Sequence, residues 1–223
     1  MDSPKELLRA SMRDRLARMG RSERRERSAR IAQQLMASDL WHEAGAILSY
    51  LALPREVDTE PVNTEALGSG RLLALPRIEG EALSFRTVGS LDGPWEQSGY
   101  RIREPGKDRP RLALDALLAS GTAILLLVPG LAFDREGGRL GRGKGFYDRF
   151  LASADWSRAA DARVAEAPSA PATLISIGLC FSDQLVPAVP TGALDRRVDL
   201  LVTEEGMMPP STRAAASRGS DQE

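Results

Sequence analysis

The sequence predicts an α/β fold, a single domain with a mostly parallel sheet flanked by helices and a glycine-rich loop preceding a helix. Three observations predict it. Strand candidates alternate with helix candidates along the chain. One strand candidate, Thr122 to Val128, has apolar side chains at successive positions, as a strand covered on both faces of a parallel sheet requires. The glycine-rich segment follows that strand and leads into a helix, the ligand edge of open α/β sheets. A length of 223 residues suits one such domain.

The elements follow in order. Residues 3–19 read as a helix, with Ser3 as cap, Pro4 in the first turn and Glu6 completing a capping box. Leu8, Met12, Leu16 and Met19 keep helical spacing, and Gly20 is the expected stop. A second helix is expected over 22–37, capped by Ser22 and burying Ile31 and Leu35. These two helices carry Arg9, Arg13, Arg15, Arg18, Arg21, Arg24, Arg25, Arg27 and Arg30, which patterning alone assigns to solvated faces. Strands are expected over 46–53, 71–78 and 82–88, the last two joined through Glu79-Gly80. Thr59 should cap a helix over 59–67. Residues 89–110 read as loop and 111–119 as a short helix. Thr173 to Phe181 and Val198 to Val202 are the last strands.

The domain is expected over 1–206. Residues 207–223, rich in Pro, Ser, Arg and Ala, read as a disordered tail, and 157–171 as a variable surface loop.

Composition narrows the function. Thirty Lys and Arg oppose 31 Asp and Glu, a balance that predicts no nucleic-acid partner. With one cysteine, Cys180, there is no intramolecular disulfide. One cysteine and one histidine, His42, also exclude the usual zinc sites, so any metal must be held by oxygen ligands. No stretch reaches the ~20 apolar residues of a membrane span. The N-terminal residues lack a signal-peptide core, so the expected location is the cytoplasm.

The chemistry concentrates in Pro129 to Leu151, PGLAFDREGGRLGRGKGFYDRFL. Gly137, Gly138, Gly141, Gly143 and Gly145 are interspersed with Arg139, Arg142 and Lys144. Glycines admit positive φ and close approach of the backbone to a ligand. Successive backbone N–H groups, the start of a helix over 146–154 and three cations together read as a polyphosphate cradle. It is not a P-loop: Gly138-x-x-x-x-Gly143-Lys144 is followed by Gly145 where Ser or Thr should hold magnesium. Gly141-x-Gly143-x-Gly145 also misses the dinucleotide spacing. Asp148, one turn into the helix, is either a magnesium ligand or a charge complement to the helix N-terminus.

The arrangement PGLAFD…GRLGRGKGFYDRFL closely resembles the signature of the 5-formyltetrahydrofolate cyclo-ligase family. Collinear matches are Lys5-Glu6-Leu7-Leu8-Arg9, Tyr50 through Thr59, Leu75-Pro76-Arg77, Tyr100-x-Ile102-x-Glu104-Pro105, and Gln184 through Glu204; together they span about residues 3–206. The resemblance implies ATP- and Mg2+-dependent cyclisation of 5-formyltetrahydrofolate to 5,10-methenyltetrahydrofolate, with ADP and phosphate released. The residues agree: phosphoryl transfer needs positioning and charge neutralisation more than a protein nucleophile.

By resemblance, Lys5 and Arg9 contact the nucleotide phosphates from one helix face, and residues 139–147 (Arg139, Leu140, Gly141, Arg142, Gly143, Lys144, Gly145, Phe146, Tyr147) form the nucleotide loop. Arg142, Lys144 and Tyr147 are assigned to catalysis. Leu51, Glu56 and Arg142 to Phe146 face the folate, with Glu56 accepting hydrogen bonds from the pterin. Tyr100 either stacks on the pterin or packs its own loop. Asp148 and Asp195 are implied as magnesium ligands. The sequence departs from the family at Phe146, where Tyr is usual, at Leu194, where His is common, and at Pro54-Arg55. Small-molecule partners only, and a monomer, are expected. The alternatives are an ATP-dependent ligase or kinase for another small substrate, and a catalytically silent folate- or nucleotide-binding homologue.

Overall fold

A computed structural model describes residues 3–99, 102–153, 156 and 174–210. Helix α1 spans Pro4–Arg18, α2 Arg21–Met36, α3 Asp39–Glu43, α4 Glu60–Gly68, α5 Leu114–Ala119 and α6 Phe146–Leu151. The main sheet holds β1 (Ala46–Leu48), β2 (Leu72–Glu79), β3 (Ala82–Val88), β6 (Ile124–Val128), β9 (Leu174–Leu179), β11 (Leu200–Thr203) and β12 (Gly206–Met208). Their order is β12-β11-β9-β6-β1-β2-β3. The five strands from β11 to β2 run parallel, and β12 and β3 add antiparallel edges.

The register explains the continuous apolar run. All five residues of β6 are buried, and successive side chains point to opposite faces. Leu125 and Leu127 join the layer beneath α1 to α4, which contributes Met12, Leu16, Ile31, Leu35, Trp41 and Val62. Ile124, Leu126 and Val128 join the opposite layer, beneath α5 and α6. The arrangement is the mostly parallel, helix-flanked sheet expected.

The Ser3–Glu6 capping box forms with both of its bonds. Two buried α1 side chains, Met12 and Leu16, dock the helix, each worth roughly 1.5–3 kcal/mol when fully buried. Several expectations are corrected. Gly20 does not merely stop α1; it is the N-cap of α2, and Ser22 lies inside that helix. Thr59 sits at the α4 N-cap, but its hydroxyl donates to the Tyr50 carbonyl at 2.6 Å instead of capping. The strand expected over 46–53 ends at Leu48, because the chain turns there toward the site. The stretch read as loop contains a hairpin, β4 (Trp95–Gln97) paired with β5 (Arg103–Pro105). Strand β12 reaches Met208 and pairs Met207 with Val202 and Met208 with Leu201, so the first two residues read as tail belong to the sheet. Positions 157–171 and 211–223 lie outside the described residues.

Helix α2 is fastened to β11 by a buried ion cluster. Arg27 pairs with Glu204, whose side chain is only 8% exposed, and also with Asp183 and Glu23. Ser182 donates its N–H and hydroxyl to the Glu204 carboxylate, and the Arg27 guanidinium lies 5.3 Å from the Phe181 ring centroid. One member of the Arg-rich segment is therefore a core residue rather than part of a solvated face.

Candidate active site

Beyond β6 the chain first builds a small hairpin. Strand β7 (Ala132–Asp134) pairs with β8 (Arg139–Leu140), and β10 (Leu185–Val186) adds to it. Asp134 organises the turn: its carboxylate accepts from the N–H groups of Glu136 and Gly138 on one oxygen and of Val189 on the other. Gly137 and Gly138 serve this turn rather than a ligand cradle. Gly137 has φ 81°, and a Cβ there would sit 2.4 Å from the Val198 carbonyl oxygen; a Cβ at Gly138 would sit 2.3 Å from the Asp134 carboxylate. The expected five-glycine cradle thus shortens to Gly141, Gly143 and Gly145. Gly143 (φ 102°) and Gly145 (φ 67°) lie in the left-handed region that a side chain strains, and Gly145 is the N-cap of α6. Helix α6 ends at Leu151, three residues short of the expected end.

This loop lies at the C-terminal edge of the sheet, against the segment after β1 and the face of α1. Together they wall a cavity of about 740 Å³. Every residue nominated from sequence lines it, except Tyr100, which is outside the described residues. Lys5 and Arg9 project from α1; Leu51 and Glu56 come from the turn after β1; positions 139–148 form the floor; Asp195 comes from the turn before β11. Tyr50, Gly192 and Arg149, which the sequence did not nominate, also line the cavity. The signal for Arg149 was its place four residues after Gly145: it donates to the Lys144 carbonyl at 3.0 Å and to the Glu81 carbonyl at 2.8 Å, tying the loop to the β2–β3 turn.

Cations and acids meet in pairs across the cavity. Lys5 pairs with Asp195. Arg139, nearly buried, pairs with Asp148 at 2.8 Å, and Arg142 with Glu56 at 2.9 Å. The Arg9 Nε donates to the Gly141 carbonyl at 3.0 Å, so α1 holds the loop directly. The other Glu56 oxygen accepts from the Leu53 N–H at 2.8 Å, which fixes the carboxylate in its turn. Burial works to raise the Asp195 carboxyl, but the Lys5 ammonium and the Gly192 N–H outweigh it and hold it below the usual carboxylate range. Burial, reinforced by the Glu56 carboxylate, pushes the Tyr147 phenol up, so it stays a protonated donor. Its hydroxyl is enclosed without a hydrogen-bond partner among the described residues, and its ring packs beside the Arg139 guanidinium, 5.7 Å from the centroid.

The donor set fits a magnesium–polyphosphate group. Asp148 and the Asp195 turn are neighbours in the fold: the Arg196 N–H, next to Asp195, donates to the Asp148 carboxylate at 3.3 Å. Two carboxylates suffice for magnesium that takes its remaining ligands from water and phosphate. Among the described residues no group of three or more His, Cys, Asp or Glu could hold a metal by itself.

Fold and site together define an α/β domain with a glycine loop and paired charges gathered around one cavity. The 5-formyltetrahydrofolate cyclo-ligase family model matches residues 2–204, so the chain belongs to that family and is an enzyme of the cyclo-ligase kind. It is 27% identical over 209 residues to the 5-formyltetrahydrofolate cyclo-ligase of Mus musculus, covering 92% of this chain and 96% of the mouse protein. Over 52 residues, 23% of this chain and 24% of the other, it is 59% identical to the Mycolicibacterium smegmatis cyclo-ligase. The NMR structure of Aquifex aeolicus 5,10-methenyltetrahydrofolate synthetase superposes with a TM-score of 0.73 at 26% identity, covering 99% of this chain and 100% of that one. No helix among the described residues is long and apolar enough to cross a membrane.

Proposed function

We propose that the cavity binds ATP with magnesium beside 5-formyltetrahydrofolate and closes the folate to its 5,10-methenyl form. The observation that carries the reading is the convergence of Lys5, Arg9, the 139–147 loop, Glu56, Asp148 and Asp195 on one cavity, from segments up to 190 positions apart. In the reaction the formyl oxygen bonds to the terminal phosphorus as its bond to ADP breaks. N10 then bonds to the formyl carbon, N10 loses its proton, and the carbon–oxygen bond breaks to release phosphate. Magnesium, held by Asp148 and Asp195 when bound, supplies charge neutralisation at the phosphates.

The chain's own groups do the positioning. Lys5, Arg9, Arg139 and Lys144 set fixed positive charge around the transferring group, where preorganised donors act most strongly. The loop from Leu140 to Phe146 offers backbone donors. The Tyr147 hydroxyl is a further donor held ready in an enclosed position. Glu56 accepts from pterin N–H groups, Leu51 gives an apolar wall, and Arg142, which pairs with Glu56, stands where nucleotide and folate meet. Phe146 keeps an aromatic ring at the site without a hydroxyl.

The direct test mixes purified protein, ATP, magnesium and 5-formyltetrahydrofolate and follows the methenyl product by its ultraviolet absorbance. ADP release without methenyl product would favour a kinase of another substrate, and no nucleotide binding would refute both enzymatic readings.

Two variants probe the assignments. Glu56→Gln is expected to weaken folate binding by roughly 1.5–3 kcal/mol per charge-assisted hydrogen bond lost, with ATP binding nearly intact in the same calorimeter. Unchanged folate affinity would return Glu56 to the role of a loop acid. Asp148→Asn and Asp195→Asn should each raise the magnesium concentration needed for half-maximal ATP binding. Their double variant should be far from additive, because both act on one ion; additive shifts would mean separate sites.

A further inference from the structure

Four acids line the cavity among the described residues, and three of them are matched by a cation. Glu56 pairs with Arg142, Asp148 with Arg139 and Asp195 with Lys5. The fourth, Glu104, is 3% exposed and forms no ion pair among the described residues. Its Oε1 accepts the Ile78 N–H at a long 3.3 Å, with the Ser98 side chain beside it. The neighbouring Arg77 guanidinium is directed elsewhere, to the Pro105 carbonyl at 2.7 Å and the Glu96 carboxylate at 2.8 Å. Burial raises the Glu104 carboxyl above its ordinary value, more than the Ile78 N–H, the Arg77 charge and Ser98 lower it. A carboxylate has about four acceptor sites. A buried one so lightly compensated is costly to keep and is a candidate for meeting a ligand's donor.

Local structure puts it there. Strand β1 pairs with β2 only as far as Ala74, so the edge of β2 beyond that point is open to another element. Strand β5 covers it, with Arg77 and Ile78 donating to Pro105 and Glu104. Alternation along β5 exposes Arg103 and buries Glu104. Pro76, Ile78, Leu83 and Ile102 give the same end of the cavity an apolar lining. Two stretches that stand out in the sequence without a role, Leu75-Pro76-Arg77 and Ile102-x-Glu104-Pro105, thus meet at one wall. The strand order gives the cavity a direction. Asp195 precedes β11, the glycine loop follows β6, Leu51 and Glu56 follow β1, and Glu104 lies against β2. Glu104 therefore stands at the far end from the Lys5–Asp195 pair.

We propose that Glu104 is a specificity-determining residue that accepts a hydrogen bond from N8–H of the reduced pterin, so that the site distinguishes reduced from oxidised rings. The proposal rests on the folate reading above. N5 and N8 lie opposite one another in the same six-membered ring. The formyl group on N5 faces the nucleotide phosphates, and N10 sits beside it to attack. N8–H consequently points away from that wall, toward β2 and β5. Glu56 takes the pterin's amino and N3–H donors, which leaves N8–H as the ring donor still to be matched. A tetrahydropterin carries a hydrogen on N8. A fully oxidised pterin carries a lone pair there, which would face the lone pairs of the carboxylate. A site built to accept an N–H rejects an analogue that lacks it, because its own buried acceptor is left unpaired.

The test is calorimetry of the intact protein with 5-formyltetrahydrofolate and with its 8-deaza analogue, in which a methylene replaces N8–H and the ring stays reduced. The wild type should bind the parent roughly ten- to a hundredfold tighter, the size of one charge-assisted hydrogen bond. In Glu104→Leu the two affinities should converge, with ATP affinity within about twofold of wild type. In Glu104→Gln, whose carbonyl oxygen accepts without charge, the preference should fall to roughly two- to tenfold. Such a coupling between one side chain and one ligand atom would not arise from a merely structural role of Glu104. Equal wild-type affinity for the two ligands would overturn the proposal, as would a preference that Glu104→Leu leaves intact. Where Glu104→Leu does not fold, Glu104→Gln decides, and a preference at the wild-type level overturns the proposal. If 5-formyltetrahydrofolate is cyclised but N8–H is not sensed, only this proposal fails; if the folate does not bind, the folate reading fails with it.

Discussion

Lys144→Ala is expected to lower kcat/KM for ATP by the equivalent of about 2–4 kcal/mol, the loss typical of removing one preorganised charge-stabilising donor. Lys144 lies between Gly143 and Gly145, both at positive φ, at the start of α6. The loop there can bring its ammonium and the neighbouring N–H groups to one anion. Arg149 supports this segment from below through the Lys144 carbonyl. Folate affinity, measured without nucleotide, should stay within about twofold of wild type, a difference below ~0.5 kcal/mol. Steady-state kinetics indistinguishable from wild type over a range of ATP concentrations would remove Lys144 from the site. A parallel loss of folate affinity would instead mean that Lys144 also meets the folate or that the substitution disorders the loop.

Arg27→Met is expected to cost about 3 kcal/mol of folding stability, because removing one partner leaves a buried charge uncompensated. For a chain of this length that lowers the thermal midpoint by roughly 6–12 °C. Methionine keeps an apolar stem against Phe181, so the loss reports the charge more than the packing. Glu204 would retain the Ser182 donors but lose its guanidinium. Adding Glu204→Gln should recover part of the loss, since the orphaned charge is then gone; a midpoint within 1–2 °C of wild type for Arg27→Met would show the cluster to be solvated in solution, a shift worth under ~1 kcal/mol.

The same cluster predicts an acid response. Burial works to raise the Glu204 carboxyl, but its own N–H, Ser182 and Arg27 outweigh it and hold it below its ordinary value. A carboxyl depressed on folding contributes stability that is fully present above its unfolded value, about 4.3, and is lost as pH falls through the folded one. Asp195 beside Lys5 has the same sign. Arg27→Met should therefore move the acid-unfolding midpoint to higher pH, read by circular dichroism.

The sequence by itself determined the layered α/β class, the buried central strand and the α1 capping box. These are local or periodic properties: five consecutive apolar residues in β6 and a Ser-x-x-Glu at α1 can be read without knowing what packs on them. The residues it nominated from Lys5, Leu51 and Glu56 through 139–148 to Asp195 line one cavity.

The tertiary structure decided what depends on partners distant in the chain. Gly137 and Gly138 look like loop glycines until Asp134 and the Val198 backbone are brought against them. The β4–β5 hairpin is three residues per strand, too short for alternation to stand out from a Gly- and Pro-rich stretch. The arginines of α2 are alike in sequence, yet packing buries Arg27 on Glu204 and leaves Arg21 and Arg25 on a basin shared with the β1 turn and β5. Likewise, the pairing of Lys5 with Asp195 spans 190 positions, and of Arg142 with Glu56 spans 86. A charge's role is set by which opposite charge the fold places within a few ångströms, and that information lies in the packing of the helices on the sheet.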